Sequence, residues 1–330
     1  MKILIRLPNW LGDVVMSTAF TDSVRKLFPE AIIDVIVKKE LTGIAAMIEE
    51  VNNVYPFSKT QNKGLTGAYR FGRNLRSENY DLFFNLPSSL SSVVLAWATR
   101  SKKRVGFDAE GGRFLLTNFY PAPSNQHRVD EYISLLERFT GKPVADPRVA
   151  LKVDIADRQL SSGKVLINFN SEAQSRRMPV NKAISIVNTL TRAFVNTTFT
   201  LIGSPKEAAF AEQIVAGVDN KTQIENAAGK TNLQELAAEM ACAGAILTTD
   251  SGPAHLANGL GTPAIVLFGA GNENNTSPYN KDNLVIQRAG KLPCEPCVKN
   301  TCPLYDTPKC MELLDEMQMI DALSVYLPYA

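Results

Sequence analysis

The chain has 330 residues, 45% of them apolar and 21% charged, with no low-complexity tract, which suits two globular domains rather than one or a disordered chain. Its longest apolar stretches, such as "VVLAWA" at 93–98, fall far below the roughly 18 residues of a membrane span. The N-terminal run meets Asp13 without the apolar core of a secretory leader, so a soluble cytoplasmic protein is expected.

Net charge is only +2 but unevenly placed: residues 1–150 carry 20 Lys+Arg against 15 Asp+Glu, and residues 151–330 carry 15 against 18. The first half is therefore basic. Arg70, Arg73 and Arg76 in "KGLTGAYRFGRNLR", and "RSKKR" at 100–104, account for much of the excess. Solvated helix faces explain most such runs, and an anionic partner is the functional alternative. Without aromatic interleaving or a recognition motif, nucleic acid is not an expected partner.

In chain order, "KILIRL" (2–7), "IIDVIV" (32–37), "VYPF" (54–57), "YDLFFNL" (80–86) and "KRVGF" (103–107) read as strands. They alternate with helical segments such as "DVVMSTAFTDSVRKLF", "ELTGIAAMIEE" and "SSLSSVVLAWAT", a rhythm that predicts parallel βαβ units. "RVDEYISLLERFTG" closes this half as a helix, and "KPVADPRVALKVDIAD" reads as a linker, placing a boundary near 155. The rhythm restarts with "KVLINFN" (164–170), "TFTLIGS" (198–204), "GAILTTD" (244–250) and "TPAIVLFG" (262–269). The expected fold class is thus α/β, with two Rossmann-like, doubly wound domains at 1–155 and 156–330. Ligands of such sheets lie beyond the carboxyl ends of the strands, so a cleft lined by those ends is the expected site. The last helix, in "LLDEMQMIDALSVYL", is expected to pack back on the first domain.

Two strand-to-helix junctions carry chemistry. In "TTDSGPAHLANGLGTP", Asp250 ends a strand, Ser251 is placed to cap, Gly252 admits close backbone approach, and Pro253 suits a first helical turn. Free amides there form an anion site, and Arg176 and Arg177 after the domain's first strand add forked cations for a diphosphate. His255 reads equally as ligand contact or structural histidine; with His127 it makes no metal triad. At the other junction, Gly12 lets the chain turn and Asp13 opens the first helix as either a cap or a base. No G-x-G-x-x-G follows a strand, and "GAGNEN" at 269–274 lacks its third glycine, which disfavours nicotinamide and flavin chemistry; a phosphate-loop motif is also missing. Cys294, Cys297, Cys302 and Cys310 form a C-x-x-C with two further thiols, a pattern that can close a structural zinc site and leaves no open position for a catalytic one.

Together "PNWLGDVVMSTAF", "FPEAIIDVIV", "YDLFFNLPSSLSS", "SRRMP", "AGKTNLQELA" and "TTDSGPAHLANGLGTP" resemble the bacterial ADP-heptose:lipopolysaccharide heptosyltransferases. The opening and the "LPSS" segment look most like heptosyltransferase II. The resemblance implies a GT-B fold with an acceptor domain followed by a nucleotide-sugar domain. It implies an inverting, metal-independent transfer from ADP-heptose to the lipopolysaccharide inner core, with no cofactor required. By the same resemblance Asp13 matches a general base in the G-D motif, and Ser171 and Arg176 fall where a hydroxyl and a cation face the donor phosphates. Asp250, Ser251 and Gly252 match the donor loop, and His255 its histidine. The chain departs from the common P-G-A at Asn168, Phe169 and Asn170, and from K-R-W-P at Arg176, Arg177, Met178 and Pro179. A phosphorylated, acidic acceptor would suit Arg70, Arg73 and Arg76, and its lipid end implies peripheral association with the inner face of the inner membrane.

Overall fold

Strands that are apolar on both faces need cover on both, and the chain supplies it with helices between parallel strands. A computed structural model describes residues 1–108, 111–155 and 161–327. The chain folds as two units, Met1–Lys152 and Val153–Ala330. In the first, β1 (Lys2–Arg6), β2 (Ile32–Lys38), β3 (Asn53–Phe57), β4 (Leu82–Asn85), β5 (Lys103–Phe107) and β6 (Asn118–Tyr120) make one parallel sheet in the order β3-β2-β1-β4-β5-β6. In the second, β7 (Ser161–Asn168), β8 (Thr198–Leu201), β9 (Ile224–Asn226), β10 (Ala243–Thr249), β11 (Ala264–Phe268) and β12 (Leu284–Arg288) lie in the order β12-β11-β10-β7-β8-β9. Counted from its own first strand, each sheet has the same order. Strand progression reverses between β1 and β4 in one unit and between β7 and β10 in the other, and ligands of such sheets bind beyond the carboxyl ends at that reversal.

Three strands were not anticipated: β6, β9 and β12, all at sheet edges. An edge strand pairs on one side only and here carries polar residues such as Asn118, Asn226 and Gln287, so its apolar signal is weak. The long first helix is broken into Leu11–Met16 and Thr18–Leu27. Ser17 and Thr18 turn their hydroxyls back to the carbonyls of Val14 (2.7 Å) and Val15 (2.8 Å), a local competition that bends helices. "ELTGIAAMIEE" yields only a 3-10 turn and the short helix Thr42–Ala45.

The second unit's core gathers Val165, Ile167, Leu247, Ile265 and Leu267 from its strands against Ile186, Val187 and Leu190 of the helix Val180–Ala193. The C-terminal helix Glu316–Ser324 spends its apolar side chains Met319, Ile320 and Leu323 in this same core. Glu316 at its start pairs with Lys182 (2.8 Å) and accepts from Thr189 (2.7 Å), which anchors the helix start within the second unit. Among the described residues no helix is long and apolar enough to cross a membrane.

Candidate active site

At the strand-order reversal of the second unit, β10 runs through Asp250 and Ser251 into the helix Gly252–Leu260. Ser251 does not cap that helix, contrary to the expectation from sequence. Its hydroxyl instead donates to the Thr249 carbonyl (3.1 Å) and accepts from Asn168 Nδ2 (2.9 Å). The amide-bearing start of the helix is thus left without a side-chain cap, as an anion site requires. His255 is buried in its first turn.

From the 3-10 turn Gln174–Arg176 that follows β7, Arg176 reaches Asp250, with Nη1 3.0 Å from Oδ2. The two are close but not aligned, since Oδ2 has no hydrogen-bond partner. This is attraction between charges without a directed bond. Arg177 donates to the Ser171 carbonyl (3.0 Å), which gathers Ser171, Arg176 and Arg177 at one strand end. Four buried polar atoms here lack partners: Asn170 Oδ1, Arg176 Nε, Arg177 Nε and Asp250 Oδ2. Buried polar groups are nearly always satisfied in folded proteins, so a cluster of orphans at the ligand end of a sheet is the signature of a polar ligand's place.

Burial pushes the Asp250 carboxyl up to about 6 against the pull of Arg176 and Arg288, with Glu273 adding a smaller upward push. A raised carboxyl contributes stability that is full below its ordinary value of 3.8 and lost as pH rises through about 6. Asp250→Asn removes this dependence. Its stability relative to the unsubstituted protein should therefore be greater at pH 8 than at pH 4, by up to about 3 kcal/mol, measured by denaturant unfolding at both pH values. Gly271 faces the carboxylate so closely that an added Cβ would lie 2.0 Å from Oδ2. Two further groups at this site carry no motif of their own. Arg288, at the end of the unanticipated β12, donates to the carbonyls of Gly269 and Gly271 (2.5 Å each), and Glu273 accepts from its Nε (3.2 Å).

The four cysteines line one small cavity beside this site, together with Ser175, Ala270 and Glu295. Their loop braces it: Ser175 N–H donates to the Asn300 carbonyl (3.0 Å) and Val298 N–H to that of Ala270 (2.8 Å). Burial, then Glu295, pushes the Cys310 thiol up to about 11, so it is a neutral thiol near pH 7. Among the described residues no three His, Cys, Asp or Glu side chains are gathered closely enough to hold a metal ion, so the arrangement as it stands does not make a zinc ligand set.

In the first unit Asp13 is the third residue of the helix Leu11–Met16, whose cap position is held by Trp10 without a side-chain bond. Asp13 is therefore not the N-cap. Gly12 lies in helical backbone and not in the left-handed region, so a tight turn is not what it supplies. Burial raises the Asp13 carboxyl and Arg128 lowers it, with a net rise. Arg128 stands at the start of the helix Arg128–Thr140, its Nε 3.7 Å from Asp13 and its Nη1 on Glu131. His127 caps that helix, its Nδ1 accepting from Val129 N–H (3.2 Å). The basic helix Gly64–Asn74 exposes Arg70 and Arg73 along a groove with Leu65, Thr66, Tyr69 and Val94. Arg76 is occupied elsewhere, donating to the Ala98 carbonyl (2.7 Å) and to the Tyr69 hydroxyl (3.3 Å).

Comparison with known proteins gives a consistent picture. The model of glycosyltransferase family 9 (heptosyltransferase) matches residues 68–307. Lipooligosaccharide heptosyltransferase 2 of Haemophilus ducreyi is 28% identical over 312 residues, spanning 87% of this chain and 88% of its own. The lipopolysaccharide core heptosyltransferase OpsX of Haemophilus influenzae is 26% identical over 287 residues, spanning 83% and 81%. The solved structure of a family 9 glycosyl transferase from Veillonella parvula shares the fold with a TM-score of 0.85 at 20% identity, covering 98% of this chain and 96% of that one.

Proposed function

Because the chain belongs to glycosyltransferase family 9, we propose that it moves a heptosyl unit from ADP-heptose to the inner core of lipopolysaccharide. It is a glycosyltransferase, and its two doubly wound units are of the GT-B class. The observation that carries the proposal is the group of unpartnered buried polar atoms around Asp250 and Arg176, in front of an uncapped helix start. In this reading the second unit holds the donor. Arg176, Arg177 and the amides near Gly252 face the diphosphate, with Ser171 and His255 beside them, and Asp250 meets sugar hydroxyls. The first unit holds the acceptor and its base. The acceptor hydroxyl oxygen attacks the anomeric carbon as the bond from that carbon to the phosphate oxygen breaks. ADP leaves with the bonding electrons, the hydroxyl proton passes to Asp13, and attack opposite the leaving group inverts the centre.

Mass spectrometry of a nucleotide-sugar panel against extracted core acceptors tests the reading; transfer from ADP-heptose alone is expected, and preference for another donor would overturn it. Such a preference is the second reading, and a specific observation bears on it. Of the positions that depart from the family pattern, Phe169 and Met178 are 1% exposed core residues, whereas Asn170 carries an unpartnered oxygen at the strand end. Any change of donor sugar should trace to Asn168 and Asn170.

A lipid-borne acceptor calls for a docking surface, and the first unit offers one. Residues 51–77 and 82–107 hold nine Lys and Arg and no Asp or Glu. On the paired helices Gly64–Asn74 and Leu90–Thr99, Leu65 and Trp97 are each 45% exposed beside Arg70 and Arg73. Exposed aromatic and basic side chains together suit an anionic lipid surface. At about 1 kcal/mol per basic residue, the Arg70→Glu, Arg73→Glu protein should bind anionic vesicles at least about tenfold more weakly. Its acceptor KM should rise while ADP affinity stays; equal loss of both would mark a folding defect instead.

The cysteine lobe, which as it stands makes no metal ligand set among the described residues, is proposed to brace the donor site structurally. Chelation is expected to leave the initial rate unchanged, while Cys294→Ser with Cys297→Ser lowers the Tm. Immediate, reversible loss of turnover on chelation would contradict a purely structural role.

A further inference from the structure

Arg6 ends β1 at the strand-order reversal of the first unit, in register with Asn85 of β4 on one side and Ile36 of β2 on the other. The residue is 3% exposed, yet among the described residues its guanidinium has no carboxylate partner. It donates only to neutral acceptors, the carbonyls of Leu7 (2.7 Å) and Ile36 (3.1 Å) and Asn9 Oδ1 (2.6 Å), and its carbon lies 5.5 Å from the Phe57 ring centre. Burial lowers its pKa only to about 10, so it remains a cation near neutrality. Buried charges are ordinarily paired, because the desolvation cost is otherwise uncompensated.

The same guanidinium lines a cavity of about 130 Å³ with Asn9, Phe57, Lys59, Ser89 and Ser91. That lining holds two cations and no acid. Its volume admits a phosphate- or carboxylate-sized group, given that a water molecule takes about 30 Å³ in the liquid. Lys59 is exposed at the rim and so is placed to meet a group entering from solvent. Residues 7–10 alone separate Arg6 from the helix that bears Asp13.

We infer that this cavity receives one anionic group of the acceptor, a carboxylate or a phosphate, held between Arg6 and Lys59, and so positions the sugar that bears the reacting hydroxyl. The inference rests on the transferase reading for the identity of the ligand, but not for the existence of the anion site. It differs from the basic helix Gly64–Asn74, whose exposed Arg70 and Arg73 line a separate groove.

The test begins with protein saturated with ADP, so that the donor site cannot report. Inorganic phosphate and acetate are titrated separately against chloride at equal ionic strength while the Tm is followed. At least one of them should raise the Tm of the unsubstituted protein, and Lys59→Gln, a change at an exposed position, should abolish the rise. With acceptor, Lys59→Gln should raise KM about tenfold, the loss expected for one charge-assisted bond, and leave kcat and ADP affinity unchanged. Acceptors with phosphates removed, or with carboxyl groups reduced, should each be compared; the one that erases the difference between the two proteins identifies the anion. Arg6→Gln should behave like Lys59→Gln where it folds. Equal anion protection of both proteins, or none in the unsubstituted one, would overturn the inference. Because the anion titration uses neither donor sugar nor acceptor, it remains decisive even if heptose transfer fails.

Discussion

Arg176→Ala is expected to weaken ADP binding by about 1.5–3 kcal/mol, the worth of a charge-assisted hydrogen bond, or roughly 10- to 100-fold. The side chain is only partly exposed, and its Nε has no protein partner. It therefore keeps a donor for the ligand while its Nη1 stays 3.0 Å from Asp250. Removing it has two effects of opposite use. The diphosphate loses its forked cation, and Asp250 loses the stronger of the two cations that lower its carboxyl, so the acid should protonate at still higher pH. Arg176→Lys retains charge without the planar fork and should recover part of the affinity. Calorimetry with ADP on both variants checks the order. Unchanged affinity in Arg176→Ala would remove this residue from the donor site and leave Arg177 with the helix start to account for binding.

What sequence reading can see here follows from where the signal is local. The inner strands announce themselves because both faces are buried, as in "IIDVIV" and "GAILTTD". Edge strands β6, β9 and β12 lack that run, and with β12 the anchor Arg288 was lost. Residues just past a strand, such as Asp13 and Asp250, are legible because a parallel sheet puts ligands at those ends. Their partners are not. Arg128 lies 115 positions from Asp13 and pairs with it only in space. The role of Ser251 also escaped local reading, since capping propensity describes an isolated helix, whereas here Asn168 from another strand takes the hydroxyl. Arg6 reads as one polar residue in an apolar strand; its unpaired burial appears only once β2 and β4 flank it.

Asp13→Asn should lower kcat by at least roughly a hundredfold with ADP affinity unchanged, the range typical of a lost general base. A helix N-terminus favours ionised carboxylates and would by itself make Asp13 a weaker base. The structure reverses that balance: desolvation outweighs Arg128 and raises the carboxyl above its ordinary value of 3.8. Below that raised value Asp13 is protonated and cannot accept the acceptor's proton. The acidic limb of kcat/KM should therefore sit at higher pH than an unperturbed aspartate would give, and it should vanish from the residual activity of Asp13→Asn. Arg128→Ala, which removes the opposing cation, should shift the limb to higher pH still. Stability separates this from a structural role. Asp13 makes no cap, and its ion pair is a loose, partly exposed one at 3.7 Å, so the substitution should cost about 1 kcal/mol or less in denaturant unfolding. Near-normal turnover in a stably folded Asp13→Asn protein would show that the proton goes elsewhere, and that Asp13 serves only to favour the start of its helix.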